Sequence, residues 1–447
     1  MQRKESPVMK TGLERIAAKA RQENKLRFTS LAHHITKELV WESLDHIPTS
    51  TSPGVDGVTV YGAKETFKNW IDEMLKVVHH QGYHPPAVRR VYIPKPGKKE
   101  KRPIGIPCVA DRALQRSVSM VLSAIWEEEF LPCSFGGRPG CSAHRALSTL
   151  NEIIVGKKVS WVLEADLKNF FGSLDHGWLL QFVEHRVGDP RILSLIRRWL
   201  KAGILEDGEV KPNEEGTPQG GSISVLLSNI YLHYVLDLWF EKAIKPRLQG
   251  EAYLVRYLDD FVVCFQFQTD ALRFQEVLKK RLEKYALRLE PTKTKLVEFG
   301  RFAMNSAKKK GKKPETIYFL GFTHYCTTNR KGNFKVGRKT EKSRLKRSLT
   351  NLKERMRKIR HGSLEHQADK INLTLRGHYA YYGMGGNFAS INKVFRFAQW
   401  YWHKMLSSRS QKGYIKWKDY MKVLSEYPLQ TPKIFIPYGR MSELSVL

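Results

Sequence analysis

The 447-residue chain has little cysteine: five residues, at positions 108, 133, 141, 264 and 326. None forms a CxxC pair. That argues against a disulfide scaffold and a zinc finger, and makes a reducing cytoplasm the expected compartment. No apolar run reaches the ~18 residues of a membrane span, so no membrane partner is expected. The opening MQRKESPVMK lacks the apolar stretch of a secretory signal. No internal repeat is visible. Acidic residues are also scarce: 44 Asp and Glu against 76 Lys and Arg give a net charge of +32. A hydrophobic share of 41% still supports packed cores, in about three units at roughly 150 residues each. A large, basic, globular protein of this kind has nucleic acid as its natural partner.

The charge is unevenly spread. Residues 1–150 carry 23 basic and 15 acidic side chains, and residues 151–300 carry 21 of each. Residues 301–360 carry 20 against 3, and residues 361–447 carry 12 against 5. More than half of the excess therefore lies in one short stretch, while the middle third is neutral because it is rich in acids. The run KKKGKK (308–313) belongs to the basic stretch and is equally well read as a solvated surface.

Apolar spacing predicts helix over residues 8–45, 63–80, 110–130 and 270–288. RRVYIPK (89–95) and RPIGIP (102–107) read as paired strands around the basic loop PGKKEK. VSWVLEADLKNFF (159–171) reads as an apolar strand with a polar end, and TIYFLGFTHY (316–325) as another. In GTPQGGSISVLLSNIYLHYVLDLWF (216–240), Thr217 is suited to cap a helix with Pro218 at its first position. AYLVRY (252–257) and FVVCFQF (261–267) are separated only by Leu258, Asp259 and Asp260, which predicts a tight hairpin. Over 341–360, Leu345, Leu349, Leu352, Met356 and Ile359 form a narrow helical seam, with nine Lys and Arg between 342 and 360 on the remaining surface.

The hairpin turn carries the most chemical information. Two adjacent carboxylates repel and raise each other's pKa, and a divalent cation relieves the strain. Asp166 ends the other strong strand of the region. Were the two strands neighbours, three carboxylates would converge at one sheet edge, an arrangement able to hold two metal ions for phosphoryl transfer. GTPQGGS (216–222) adds a glycine-rich helix start of the kind that meets phosphates.

Taken in order, these motifs resemble the reverse transcriptases of group II introns. RYLDDFVV (256–263) resembles the Tyr-x-Asp-Asp hairpin, LEADLKNFFGSLDH (163–176) the first catalytic palm motif, and GTPQGGSISVLLSNIYLHYVLD (216–237) the Pro-Gln-Gly-Gly helix. RRVYIPKPGKKEKRPIGIPCVADRALQRSV (89–118) and SFGGRPGCSAHRAL (134–147) resemble the fingers, FLGF (319–322) the strand closing the palm, and LRGHYAYYGMGGNF (375–388) the thumb or maturase region. The likeness runs from about residue 25 to 433.

The resemblance implies an α+β right-hand polymerase. Its parts would be an N-terminal extension (1–48), fingers (49–158), a palm with a small antiparallel sheet and some fingers-like insertions (159–330), a helical thumb or maturase-like region (331–433) and a C-terminal tail (434–447). It implies RNA-directed DNA polymerase activity: dNTP addition to a primer 3′ end on an RNA or DNA template. Asp166, Asp259 and Asp260 would be catalytic and bind two Mg²⁺ ions, with Mn²⁺ as a substitute. Lys95, Arg102, Phe171 and Gln219 would bind the dNTP. Phe171 would be the steric gate against a ribose 2′-hydroxyl, although Phe170 beside it is an alternative core residue. Arg112, Arg116, Arg138, Arg344, Arg347, Lys353 and Arg357 would bind nucleic acid. The implied partners are an RNA template, a DNA primer, their duplex and a group II intron RNA. Maturase work in splicing and a host-recruited role in DNA break repair or phage defence stand as alternatives.

Two departures from the family pattern stand out. Leu258 replaces the usual Ala and is expected to crowd the primer end or the nucleotide. The roughly 14 residues after Lys433 leave no room for an endonuclease domain, so target-DNA cleavage by this chain alone is not expected.

Overall fold

The computed structural model describes residues 7–94, 100–206, 209–211, 216, 221–410 and 413–446. Helices α1 (Pro7–Gln22), α2 (Lys37–Asp45), α3 (Val60–Glu65) and α4 (Phe67–His79) lead to the hairpin β1 (Val88–Pro94) and β2 (Lys101–Ile106), then to α5 (Val109–Trp126). α5 is buried along most of its length and packs against α1 and α2. The expected helix over 8–45 is interrupted between α1 and α2. The cause is tertiary: Arg186 donates to the carbonyls of Ala20, Glu23 and Leu26, and Asp189 accepts from Leu31 N and Ala32 N. Backbone groups that would have closed helical turns are satisfied from another part of the chain.

Next come α6 (Ala143–Gly156), β3 (Trp161–Ala165), α7 (His176–Glu184) and α8 (Pro190–Leu200). Ser142, Asp175 and Asp189 accept from backbone N–H groups in the first turns of these three helices. The short strands β4 (Ile204–Glu206) and β5 (Glu209–Lys211) complete a four-stranded sheet in the order β2-β1-β4-β5, with β1 and β4 parallel.

α9 (Ser224–Leu232) runs into two π-helical turns at 233–237 and 240–244. Thr217 and Pro218 lie outside the described residues. β6 (Ala252–Tyr257), β7 (Asp260–Phe265), α10 (Gln268–Lys284) and β8 (Lys295–Glu298) follow. With β3 they form an antiparallel sheet in the order β6-β7-β3-β8. β3 is a central strand and, apart from the half-buried Trp161 at its start, it is buried, as its apolar sequence requires.

α11 (Ala303–Lys309) leads into a third sheet: β9 (Thr316–Phe319), β10 (Phe322–Thr328) and β11 (Phe334–Thr340). The expected single strand over 316–325 is a hairpin, because Leu320 and Gly321 both take positive φ and turn the chain. Helices α12 (Lys342–Ile359), α13 (Leu364–Tyr382), α14 (Phe388–Ser407) and α15 (Trp417–Glu426) share their own core, including Leu352, Met356, Ile371 and Trp402. The final segment returns to the core shared by α6 and the β6-β7-β3-β8 sheet. Ile436 bridges Met384, α16 (Met441–Leu444) packs on α6, Met441 is fully buried, and Val446 N donates to Thr149 Oγ1. The stretch expected as a tail is thus part of a core.

Candidate active site

Strand register sets the site. β3 and β7 run antiparallel with Ala165 opposite Phe261, so the residue after β3 and the first residues of the β6–β7 turn lie at the same sheet end. Asp166, Asp259 and Asp260 meet there, as the sequence leads one to expect. Asp260 is exposed to solvent at the strand end, yet the crowding of protein around it, followed by the charges of Asp259 and Asp166, pushes its carboxyl up to about 7. Burial and Asp166 raise Asp259 as well. These acids resist ionising together, as repelling carboxylates do.

Lys293 is a residue the sequence reading missed. Its ammonium forms an ion pair with Asp166. Burial pulls the Lys293 pKa down, but Asp166, Asp260 and Asp259 outweigh it and leave it raised. Lys293 lies in the PTKTK segment (291–295), where nothing but a long-range fold could reveal its neighbour. Glu164, two positions before Asp166 on β3, is buried and accepts from Tyr318 N. Burial lifts its carboxyl to about 7.

The turn itself is held from beneath. Arg256 is fully buried, forms an ion pair with Asp237, and also donates to Asn229 Oδ1 and Ser134 Oγ. Leu258 takes φ +56, in the left-handed region. Its side chain lies over Gly136 and Gly137: a Cβ on Gly136 would come within 2.5 Å of Leu258 N and 2.7 Å of Leu258 Cγ. The bulk of Leu258 therefore packs on the turn at Gly136 and Gly137.

The cleft has a volume of about 550 Å³ and brings Asp166, Asp260, Lys293, Leu320 and Gly321 together with Arg344 and Arg347 of α12. Arg102 sits exposed on β2, close enough to stabilise the Asp259 carboxylate. Phe170 is 2% exposed and belongs to the core, while Phe171 is half-buried beside it. Gly216 packs directly on the Phe171 carbonyl, so the glycine-rich segment starts at this aromatic. Lys95 and Gln219 lie outside the described residues.

Other expected contacts are placed differently. Arg112 is buried and donates to Ser52 O. Arg138 donates to Glu127, Leu131 O and Ser134 O. Arg112 is thus held to the Ser52 carbonyl, and Arg138 to Glu127 and two carbonyls of its own turn. Arg116 is half-buried, and its Nε has no protein partner. Further along α12, Lys353 lies over the Tyr401 ring and Arg357 donates to Tyr401 Oη.

Among the described residues, no set of three or more His, Cys, Asp or Glu side chains closes into a ready metal cage. Asp259 and Asp260, whose proton affinity is raised, stand beside Asp166, which is ion-paired to Lys293, and the group fits a cation site.

The sequence profile described as "Reverse transcriptase (RNA-dependent DNA polymerase)" matches residues 93–324, which include all three aspartates. The chain belongs to the reverse transcriptase family. It is similar to "Protein YkfC" of Escherichia coli (strain K12), with 36% identity over 282 residues, covering 55% of this chain and 72% of that protein. It is similar to "Group II intron-encoded protein LtrA" of Lactococcus lactis subsp. cremoris, with 32% identity over 231 residues, covering 51% of this chain and 38% of that protein. "Nuclear intron maturase 3, mitochondrial" of Arabidopsis thaliana is 25% identical over 203 residues, covering 40% of this chain and 28% of that protein. The fold is thus the right-hand polymerase with small antiparallel sheets, and the group II-type reverse transcriptase carries RNA-directed DNA polymerase chemistry. Its family works with divalent metal ions and on nucleic acid. No helix among the described residues is long and apolar enough to cross a membrane.

Proposed function

We propose that this reverse transcriptase adds dNTPs to a primer 3′ end at the sheet end where Asp166 meets Asp259 and Asp260. The observation carrying this reading is the β3–β7 register, which brings residues nearly a hundred positions apart to one edge. The three aspartates would hold two Mg²⁺ ions, with Mn²⁺ as a substitute. When bound, such ions supply the positive charge that attacking and leaving oxygens need in phosphoryl transfer. The protein's own part is placement. Arg102 contributes a cation opposite the acids, joined on sequence grounds by Lys95 and Gln219. Phe171 flanks the sugar position. Arg344 and Arg347 face the duplex leaving the cleft, and Arg116 joins them on sequence grounds as a template contact. The fingers, palm and thumb would span 49–158, 159–330 and 331–433.

The direct test is primer extension on an RNA template with Mg²⁺ and dNTPs. Product from the parent chain and none from Asp259→Ala/Asp260→Ala supports the assignment; equal synthesis by both overturns it. A role with a group II intron RNA follows the relatives' names. A catalytic intron RNA flanking the gene would favour it over recruitment for repair or defence.

A further inference from the structure

The far end of the palm sheet carries a second cleft, unrelated to the aspartates. It has a volume of about 560 Å³ and is lined by residues 156–161, 266–268, 301 and 302. Trp161 pairs with Phe265 and Glu298 at one end of β3, while Ala165 marks the other end. At ~3.3 Å per residue the two clefts are separated by the length of the strand.

The lining combines exposed aromatic faces with cations. Phe267 is 42% and Phe302 is 62% exposed, although both are large and apolar. The ring of Phe267 rests on Gly250, where a Cβ would come within 2.7 Å of it. The ring is thus supported by Gly250 while much of the residue stays exposed. Lys157, Lys158 and Arg301 are exposed around these rings, and Arg301 is anchored through Val155 O. The countercharge is slight: Glu251 lies 3.9 Å from Lys158 Nζ.

The cationic surface continues. Phe302 caps α11, and α11 delivers the chain into Lys308, Lys309, Lys310, Lys312 and Lys313, all exposed. Lys310 pairs with Glu298 on β8, the edge strand, which places this run along the open sheet edge. Among the described residues, no carboxylate forms an ion pair with Lys308, Lys309, Lys312 or Lys313. The KKKGKK run is therefore a track leading from an aromatic cleft, not a scattered charge.

We propose that this cleft and track bind a single-stranded RNA segment outside the catalytic cleft. Bases stack on open aromatic faces regardless of sequence, and a cationic groove follows the backbone. Splayed single strands offer such bases, whereas duplexes hide them. The Gln266 amide oxygen accepts from Glu251 N, which leaves its NH₂ and the whole amide of Gln268 to meet the 2′-hydroxyl of RNA, itself donor and acceptor. The proposal goes beyond the polymerase reading and does not depend on it.

The experiment uses the full chain with its catalytic cleft filled by excess unlabelled RNA–DNA primer–template. A labelled single-stranded RNA of about 15 nucleotides, within the usual site sizes, is titrated by fluorescence anisotropy. It should bind despite the duplex. Phe267→Ala/Phe302→Ala should weaken binding about tenfold or more, with primer extension and melting temperature unchanged. Lys309→Gln/Lys312→Gln should flatten the plot of log affinity against log salt by roughly 1.4, about 0.7 per cation. The proposal is overturned if the duplex displaces the RNA or if the variants bind like the parent. It also fails if DNA of the same sequence binds as tightly, or if anionic vesicles or polyglutamate bind where RNA does not.

Discussion

The guanidinium of Arg256 donates to the carbonyl oxygen of Leu258 at 3.1 Å. The same buried group forms an ion pair with Asp237, so the turn carrying Asp259 and Asp260 is tied to the helical layer beneath the sheet. Removing one partner of a fully buried pair strands the other charge, at a cost of about 3–5 kcal/mol. Arg256→Ala is expected to lose about that much stability in urea denaturation. Arg256→Lys keeps a charge but not the fork, so kcat should fall more than the KM for dNTP changes. A parent-like denaturation midpoint for Arg256→Ala would refute the anchoring role.

The acids should separate chemistry from binding. Asp259→Ala/Asp260→Ala is expected to abolish extension while RNA affinity stays within about twofold, because Coulomb repulsion is removed rather than added. Filter binding and primer extension on the same preparation check both halves.

A pH dependence follows from Asp260, whose carboxyl is raised to about 7. Below the ordinary carboxylate pKa of about 4, folded and unfolded chains both hold the proton. Between about 4 and 7 the folded chain keeps a proton that the unfolded chain has released. Metal-free stability should therefore decline as pH rises through this window and level off above it. Thermal melts across pH, with and without Mg²⁺, test this; Mg²⁺ should remove the decline. Lys293 lowers the proton affinity of Asp260, so Lys293→Met should move the pH midpoint of extension upward. A midpoint that stays put would show that Lys293 does not sense these acids.

Leu258 and Gly136 form a packed pair. Gly136→Ala would push a methyl within 2.5 Å of Leu258 N, where backbone must shift. Its expected effect is a loss of extension rate together with a destabilisation of about 1–3 kcal/mol, typical of overpacking. Leu258→Gly should relax the left-handed residue, worth about 1 kcal/mol of backbone strain, while forfeiting the contact with the fingers. If both variants extend primers on RNA and DNA templates like the parent, this contact has no part in shaping the turn.

Helix α12 offers two arginines to the cleft. Arg344→Ala/Arg347→Ala should weaken primer–template binding and reduce its salt slope by roughly 1.8, about 0.9 per phosphate contact. Arg357→Ala should alter the slope less, since its guanidinium is bonded to Tyr401. Competition binding from low to moderate salt measures both.

Much of this site was legible because its motifs are local. The β6–β7 hairpin, the end of β3 and the basic seam of α12 each announce themselves by period and composition. Long-range partners do not. Lys293 reaches Asp166 across 127 positions, and Arg256 looks like any strand residue until Asp237 is placed beneath it. Arg112 and Arg138 show the converse. Their sequence reads as basic surface, yet nearby carbonyls and Glu127 capture them. The break between α1 and α2 has the same origin, since helical spacing persists where Arg186 and Asp189 take the backbone groups.

The return of the chain to the palm bears on synthesis. Val446 N meets Thr149 across 297 positions, and Met441 fills a site between elements made far earlier. Ribosomes add roughly 5–20 residues per second, so the palm must wait many seconds for its last wedge. Contacts of such separation also form slowly, because a long loop must close first. A nascent chain stalled before residue 441 should hold fingers and helices yet remain without a finished palm. RNA copying is therefore expected only once translation has passed that point.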